Sequence, residues 1–231
     1  MIRTKPLSCQ AMDTRRLIEL ALRSGASLAG VADADALRDS PSHVATSQRT
    51  LSETARSVLV LALHHPMGRP ELDHWGGEGD TRGNLASVRA AETIARLAES
   101  DLGIRAVPLG YQPGDQGTFL KDAAVLAGLG VIGKSNLLIT PEFGTRVRLK
   151  ALAFEVELRP TEIQAGFDPC STCATLCWSA CPQGAFASGR YEREKCRIQM
   201  KIDEATPLDP ADPGGYNIAY CRLCETACPV G

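Results

Sequence analysis

The chain has 231 residues, 44% of them hydrophobic, and a formal net charge of −2 with both signs interspersed. This length and apolar content can supply the core of one large domain, or of a medium domain with a small appendage. With neither an acidic nor a basic block, the sequence advertises no nucleic-acid groove and no membrane surface.

The N-terminal run MIRTKPLSCQAMDTRRLIELALRSG is broken by Arg15, Arg16, Glu19 and Arg23, so it lacks the uninterrupted apolar stretch of a secretory signal. The Arg15-Arg16 pair is followed by an amphipathic pattern, which separates it from a twin-arginine export signal. No run reaches the roughly 20 apolar residues of a membrane span. The expected location is the cytoplasm, with no membrane partner.

Leu17, Ile18, Ala21 and Leu22 fall at helical spacing, and predict a helix from Asp13 to Arg23 that stops at Gly25. Ser27 to Val31 and Ser57 to Leu63 (SVLVLAL) have strand length, and the second is continuous enough for burial on both faces. A polar, helical stretch is expected between them. The run MGRPELDHWGGEGDTRGN is rich in Gly and Pro and lacks periodicity, which reads as an active-site loop. A helix is predicted over about Asn84 to Ser100, a strand over Ile104 to Tyr111 and a helix over about Thr118 to Leu129. SNLLIT and RVRLKALAFEVEL read as two strands about a turn at Pro141 to Gly144. Alternating helices and strands as far as Leu158 give an α/β (α+β) domain. The expected boundary places residues 1–160 in this domain and residues 161–231 in a small second one, where metal substitutes for a missing apolar core.

Eight of the nine cysteines lie in that second region. Clustered thiols in a reducing compartment bind metal more often than they form disulfides. Cys170, Cys173, Cys177 and Cys181-Pro182 form C-x2-C-x3-C-x3-C-P; Cys221, Cys224 and Cys228-Pro229 form C-x2-C-x3-C-P; Cys196 lies between. Four thiolates hold one cubane cluster, so eight suffice for two 4Fe-4S clusters. Zinc in four-cysteine sites is the alternative, and the two Cys-Pro endings favour clusters. The pattern resembles that of two-cluster ferredoxins, in which the cysteine before proline ligates the other cluster. That resemblance implies one ligand set of Cys170, Cys173, Cys177 and Cys228, and another of Cys181, Cys196, Cys221 and Cys224.

The segment KDAAVLAGLGVIGKSNLLITPEFGTRVRL, with ARSVLVLALHHP before it and the double cysteine motif after it, resembles the epoxyqueuosine reductases and their reductive dehalogenase relatives. The resemblance covers about Ala55 to Pro229. It implies a nitroreductase-like, corrinoid-binding domain followed by a ferredoxin-like module whose clusters pass electrons to cobalamin. Gly128, Gly130 and Gly133 of AGLGVIGK would let backbone approach a large cofactor, and Lys134 offers a cation. The residues alone favour a helix C-cap at Gly128 or Gly130 and a tight turn into a strand, and the resemblance reverses that preference. Tyr111 and Asp115, in YQPGDQGTFLKD, are candidate proton donors, with turn and strand-end roles as the alternative.

The expected function is a cobalamin-dependent reductase acting on a small molecule and fed by an external donor such as ferredoxin or flavodoxin. The alternatives are an electron-transfer accessory protein that reduces a corrinoid protein, and a flavin-dependent reductase. Longer tRNA-acting members continue into a helical-repeat domain that is expected to be missing here, and lysines and arginines are scattered, so no nucleic acid is expected as a partner.

Overall fold

The computed structural model describes residues 7–45, 51–76, 79–111, 118–163, 165–212 and 215–230. The elements among them run α1 (Leu7–Arg23), β1 (Leu28–Asp33), α2 (Ala34–Arg38), α3 (Pro41–Val44), β2 (Ser57–His64), a 3-10 turn at Pro70–Leu72, β3 (Trp75–Gly76), β4 (Asp80–Thr81) and α4 (Arg82–Leu102). They continue with β5 (Ala106–Leu109), α5 (Leu120–Leu126), β6 (Val131–Ile132), β7 (Leu138–Ile139), β8 (Val147–Phe154), α6 (Leu176–Ser179), α7 (Arg193–Ala205), β9 (Tyr216–Ile218) and α8 (Leu223–Thr226). The expected α/β (α+β) class is met in this mixture. Helix α1 starts earlier than its apolar spacing suggests, so Cys9 is helical and not in a loose terminus. No helix among the described residues is long and apolar enough to cross a membrane.

Two compact units emerge, and neither is a single stretch of chain. The first comprises Met1–Leu63, Ser87–Gly130 and Arg148–Ala165; the second comprises His64–Ala86, Val131–Val147 and Gly166–Gly231. The expected division at residue 160 falls near the last of these crossings. It does not anticipate that residues 64–86 and 131–147 group with the cysteine-bearing region.

In the first unit a four-stranded sheet runs in the order β1-β2-β8-β5. Strand β1 pairs antiparallel with β2, Leu28 facing Ala62 and Asp33 facing Ser57. The apolar run of β2 is buried from Ser57 through Ala62, as a central strand covered on both faces requires. Strand β5 is an edge and carries Pro108, a residue that edges tolerate because it has no N–H to donate. Leu17 and Ala21 of α1 and Ala91, Ile94 and Ala98 of α4 recur every three to four residues and meet Leu59, Leu61, Leu152 and Phe154 in one core. Residues 157–161 tie back through Leu158 N–H to Ser57 Oγ (2.8 Å) and Val31 N–H to Thr161 Oγ1 (2.8 Å).

The second unit is differently built. Its three-stranded sheet, in the order β4-β3-β9, and its two-stranded hairpin β6-β7 are both small. Among the described residues only Leu138, Ile139, Ala185 and Phe186 of this unit are buried hydrophobics. The Gly-rich run expected as an active-site loop supplies the middle strand of that sheet, with Trp75 opposite Thr81 on one side and Ile218 on the other. Alternation is invisible in a strand of two residues, which is why the sequence reads as loop.

Candidate metal centre

The cysteines sort into two groups of four. In the first, Cys170, Cys173, Cys177 and Cys228 line one cavity together with Ser135, Ile139, Pro169, Pro229 and Val230. The hairpin β6-β7 supplies Ser135 and Ile139, α6 carries Cys177, and Cys228 follows α8. The turn of the hairpin is fastened to this site through backbone atoms. Lys134 N–H donates to Cys170 Sγ (3.4 Å), and Trp178 Nε1–H, one residue past Cys177, donates to Lys134 O (2.9 Å). A Cβ on Gly133 would lie 2.4 Å from Ile139 Cδ1 and 3.2 Å from Cys170 Sγ, so any larger residue requires Ile139 and Cys170 to shift. Burial raises the pKa of the Cys177 thiol, the backbone amide of Trp178 opposes this, and Cys170 and Cys173 add to the rise.

In the second group, Cys181 Sγ accepts from Ala185 N–H (3.3 Å), Cys196 sits on α7, and Cys221 and Cys224 bracket the start of α8. Burial pushes the Cys224 thiol up to about 12, with Cys221, Cys196, Glu225 and Cys181 reinforcing it. The Cys221 thiol is raised by burial first, then by Asp203, Cys181 and Cys196, against the backbone amide of Leu223. Cys181 and Cys196 both act on Cys221 and Cys224, which makes the four neighbours, and the raised Cys221 and Cys224 thiols favour the protonated form until a cation binds. Asp203 of α7 holds the Cys221 N–H at 2.7 Å. Burial, then a hydrogen bond to Cys196, keeps the Tyr191 hydroxyl protonated.

Behind α8 lies a largely buried ionic network that no motif announced. Arg222, between the two cysteines, pairs with Asp73 and with Glu225, and its Nε donates to Glu225 Oε2 at 3.1 Å. Its Nη2 also reaches His65 Nδ1 at 2.7 Å, and that nitrogen is 3.2 Å from Asp73 Oδ2. His65 Nδ1 thus faces a donor in Arg222 and an acceptor in Asp73. His64 stacks on Phe143 with ring centroids 4.4 Å apart, and its pKa is lowered by burial first, then by His65 and Arg146. Trp75 packs edge-on against Tyr220 at 5.6 Å.

The remaining sequence candidates do not gather at the cysteines. Tyr111 is exposed at the end of β5, and Asp115 lies outside the described residues. Gly128, with φ of 73°, closes α5: Leu129 N–H reaches Ala124 O (2.9 Å) and Gly128 N–H reaches Val125 O (3.0 Å), a Schellman cap. A Cβ on Gly128 would lie 2.3 Å from Glu162 O, so cap and packing by themselves already require glycine at this position. Gly130 is buried. Of the AGLGVIGK residues, Gly133 and Lys134 alone are placed against a cysteine. Sequence reading also missed the outer face of α7, where Arg193, Arg197 and Lys201 recur at four-residue spacing; that spacing was the available signal.

No family model matches the chain. Over 142 residues it is 35% identical to the epoxyqueuosine reductase of Gloeobacter violaceus, an alignment covering 59% of this chain and 42% of that protein. Over 186 residues it is 28% identical to the tetrachloroethene reductive dehalogenase of Dehalobacter restrictus, covering 75% of this chain and 32% of that one. The chain is a relative of the epoxyqueuosine reductases and reductive dehalogenases. It spans less than half the length of these two curated relatives. Two solved structures share its fold. One is an epoxyqueuosine reductase holding a tRNA-Tyr stem loop, with TM-score 0.63 and 20% identity over 93% of this chain and 64% of that one. The other is a reductive dehalogenase whose structure bears on B12-dependent dehalogenation, with TM-score 0.66 and 17% identity over 99% of this chain and 33% of that one. At these identities the likeness to the reductase and dehalogenase structures establishes the mixed α/β fold. The expectation of no nucleic-acid partner is at odds with the tRNA stem loop in a protein of the same fold.

Proposed function

We propose that the chain is an iron-sulfur oxidoreductase, in which two 4Fe-4S clusters on the eight cysteines pass electrons to a corrinoid and on to a small-molecule substrate. The observation that carries this reading is the cavity ringed by Cys170, Cys173, Cys177 and Cys228, thiols drawn from two motifs far apart in sequence. Among the described residues no three His, Cys, Asp or Glu side chains converge as they would on a single metal ion. Thiols set around a cavity suit a cubane, which takes one thiolate at each of four irons. The donors suit it too: soft sulfur ligands, an apolar wall of Ile139, Pro169, Pro229 and Val230, and N–H groups directed at Cys170 and Cys181.

The chain's own residues do the holding and tuning. Trp178 and Lys134 fix the hairpin against Cys170, Asp203 fixes the Cys221 backbone, and the Arg222 network charges the ground beside Cys224. A corrinoid would supply the metal-centred reduction chemistry. Its proposal is supported by the B12-dependent dehalogenation to which a fold relative's structure speaks.

Anaerobically purified protein is expected to contain about eight iron and eight sulfide per chain. Cys228→Ala is expected to remove the cluster of Cys170, Cys173 and Cys177 and to leave the other intact by electron paramagnetic resonance. Stoichiometric zinc without sulfide overturns the reading, and loss of the Cys221 and Cys224 cluster alone overturns the pairing. Titration with cob(II)alamin, followed by its shift toward a base-off spectrum, tests the corrinoid separately. A gel shift with tRNA at low salt tests the substrate class.

A further inference from the structure

On the outer face of α7, Arg193, Arg197 and Lys201 are exposed and lie on successive turns. Beside them Ile198 and Ile202 form a parallel apolar stripe, 52% and 47% exposed. The opposite face of the same helix is fixed. Cys196 belongs to the second cysteine group, Gln199 bonds Gln183 (2.9 Å) and Asp203 (2.8 Å), and Asp203 holds the Cys221 N–H. A rigid helix thus places a cluster-ligand position on one side and a basic, partly aliphatic surface on the other, separated by the width of the helix itself.

We propose that this face docks a small acidic one-electron carrier protein of the ferredoxin class, which delivers electrons to the Cys181, Cys196, Cys221 and Cys224 group. The proposal rests on the iron-sulfur reading above. The charge argument is local: the chain as a whole carries −2, yet this stripe presents three cations. Of the acidic residues interleaved with them, Glu194 lies 3.5 Å from Arg197, and Glu204 accepts from the Tyr220 hydroxyl at 2.7 Å. Small, transient redox interfaces use such complementarity to speed encounter, with a few aliphatic residues for contact. RNA is the other polyanion that a basic stripe could take. The surface argues against it, because its apolar part is aliphatic and offers no ring for base stacking, and glutamates stand among the cations. Proximity to Cys196 serves a redox partner and is immaterial to RNA. The step balances as a single electron: the reduced carrier is oxidised by one, the Cys196 group is reduced by one, and no bond or proton changes hands.

The test uses the whole chain, purified anaerobically, and an acidic plant-type [2Fe–2S] ferredoxin reduced beforehand and freed of reductant. Stopped-flow absorbance should show a second-order rate that falls as salt is raised. In Arg193→Glu/Arg197→Glu/Lys201→Glu that rate should drop by about 10-fold or more. Reduction by dithionite, a small reductant that needs no docking face, should give parent-like resonance signals in the variant. Lys201→Glu alone, at an exposed site, repeats the test at smaller amplitude should the triple variant fold poorly. A variant with intact signals that takes electrons from the ferredoxin at the parent rate overturns the proposal. So does a variant that releases tRNA in a gel shift while its reduction rate is unchanged. If dithionite produces no cluster signal in the parent chain, the iron-sulfur reading itself fails and the docking proposal falls with it.

Discussion

The two units solve the same problem, holding a chain in one shape, with different means. The first buries aliphatic side chains on both faces of a four-stranded sheet, and Phe154, Leu59 and Ile94 are fully enclosed. The second has four buried hydrophobics among its described residues, and leans on cysteines and on the charged cluster of Arg222, Asp73, Glu225 and His65. Apolar burial is non-directional and survives a change of redox state, whereas thiolate ligation stabilises only while iron is present. On the proposed reading, the region that would handle electrons is also the region whose folding would depend on the metal.

Stripping iron is the strongest way to break this comparison. In anaerobically chelated protein, amides of Tyr216 to Ile218 should exchange freely while those of Val58 to Leu61 stay protected, because the first unit keeps its core and the second loses its cross-links. Equal protection in both units after chelation would show that the second unit needs no metal. A second perturbation should act the other way round. Phe154→Ala, at a site 1% exposed, is expected to cost the first unit about 3–5 kcal/mol in denaturant melts, without altering cluster absorbance per iron.

The smallest effect concerns acid. His43 is buried between Ser40 Oγ (2.8 Å from Nδ1) and Thr118 Oγ1 (2.9 Å from Nε2), and its pKa is lowered by burial, with Asp122 opposing. A histidine that is harder to protonate in the folded state takes up its proton on unfolding. Its stabilising contribution is thus complete above the ordinary histidine pKa of about 6.5 and shrinks as pH falls below it. Thermal melts of the first unit should lose stability in that acid window, and His43→Gln should flatten the dependence. A parallel slope in the variant would assign the acid sensitivity to other groups.

What the sequence disclosed follows from the range over which each signal acts. SVLVLAL announced a strand buried on both faces because burial is written into consecutive residues, and β2 is such a strand. Cysteine spacing showed two motifs, because ligation constrains neighbours along the chain, and only the resemblance to two-cluster ferredoxins implied that Cys228 joins the thiols of the other motif. The pairing of Trp75 with Ile218 left no trace, since neither short strand shows alternation and nothing local specifies a partner so remote. The glycines of AGLGVIGK pointed to close approach, and close approach is what they provide. At Gly128 the neighbour is Glu162 O, and at Gly133 it is Cys170 Sγ, so the spacing was informative about crowding and silent about what crowds. Arg193, Arg197 and Lys201 looked scattered because their helix was not recognised. Helical phase, not composition, puts them on one face.

The interleaving of the second unit has a consequence for how the protein must be handled and made. Its strands β3 and β9 come from stretches far apart in the sequence, and its hairpin comes from a third stretch between them. A fragment cut at the apparent boundary near residue 160 would carry every clustered cysteine but leave behind the strand that Tyr216 to Ile218 pairs with and the Lys134 turn that reaches Cys170. Such a fragment is not a portable module. During synthesis, the hairpin and the β3-β4 pair emerge long before β9 and the last three cysteines, so their contacts of very high sequence separation form late. If the proposed clusters are bound, iron insertion is deferred to the final stage of folding, and a ribosome stalled anywhere before Cys221 carries thiols that have as yet no complete site to enter.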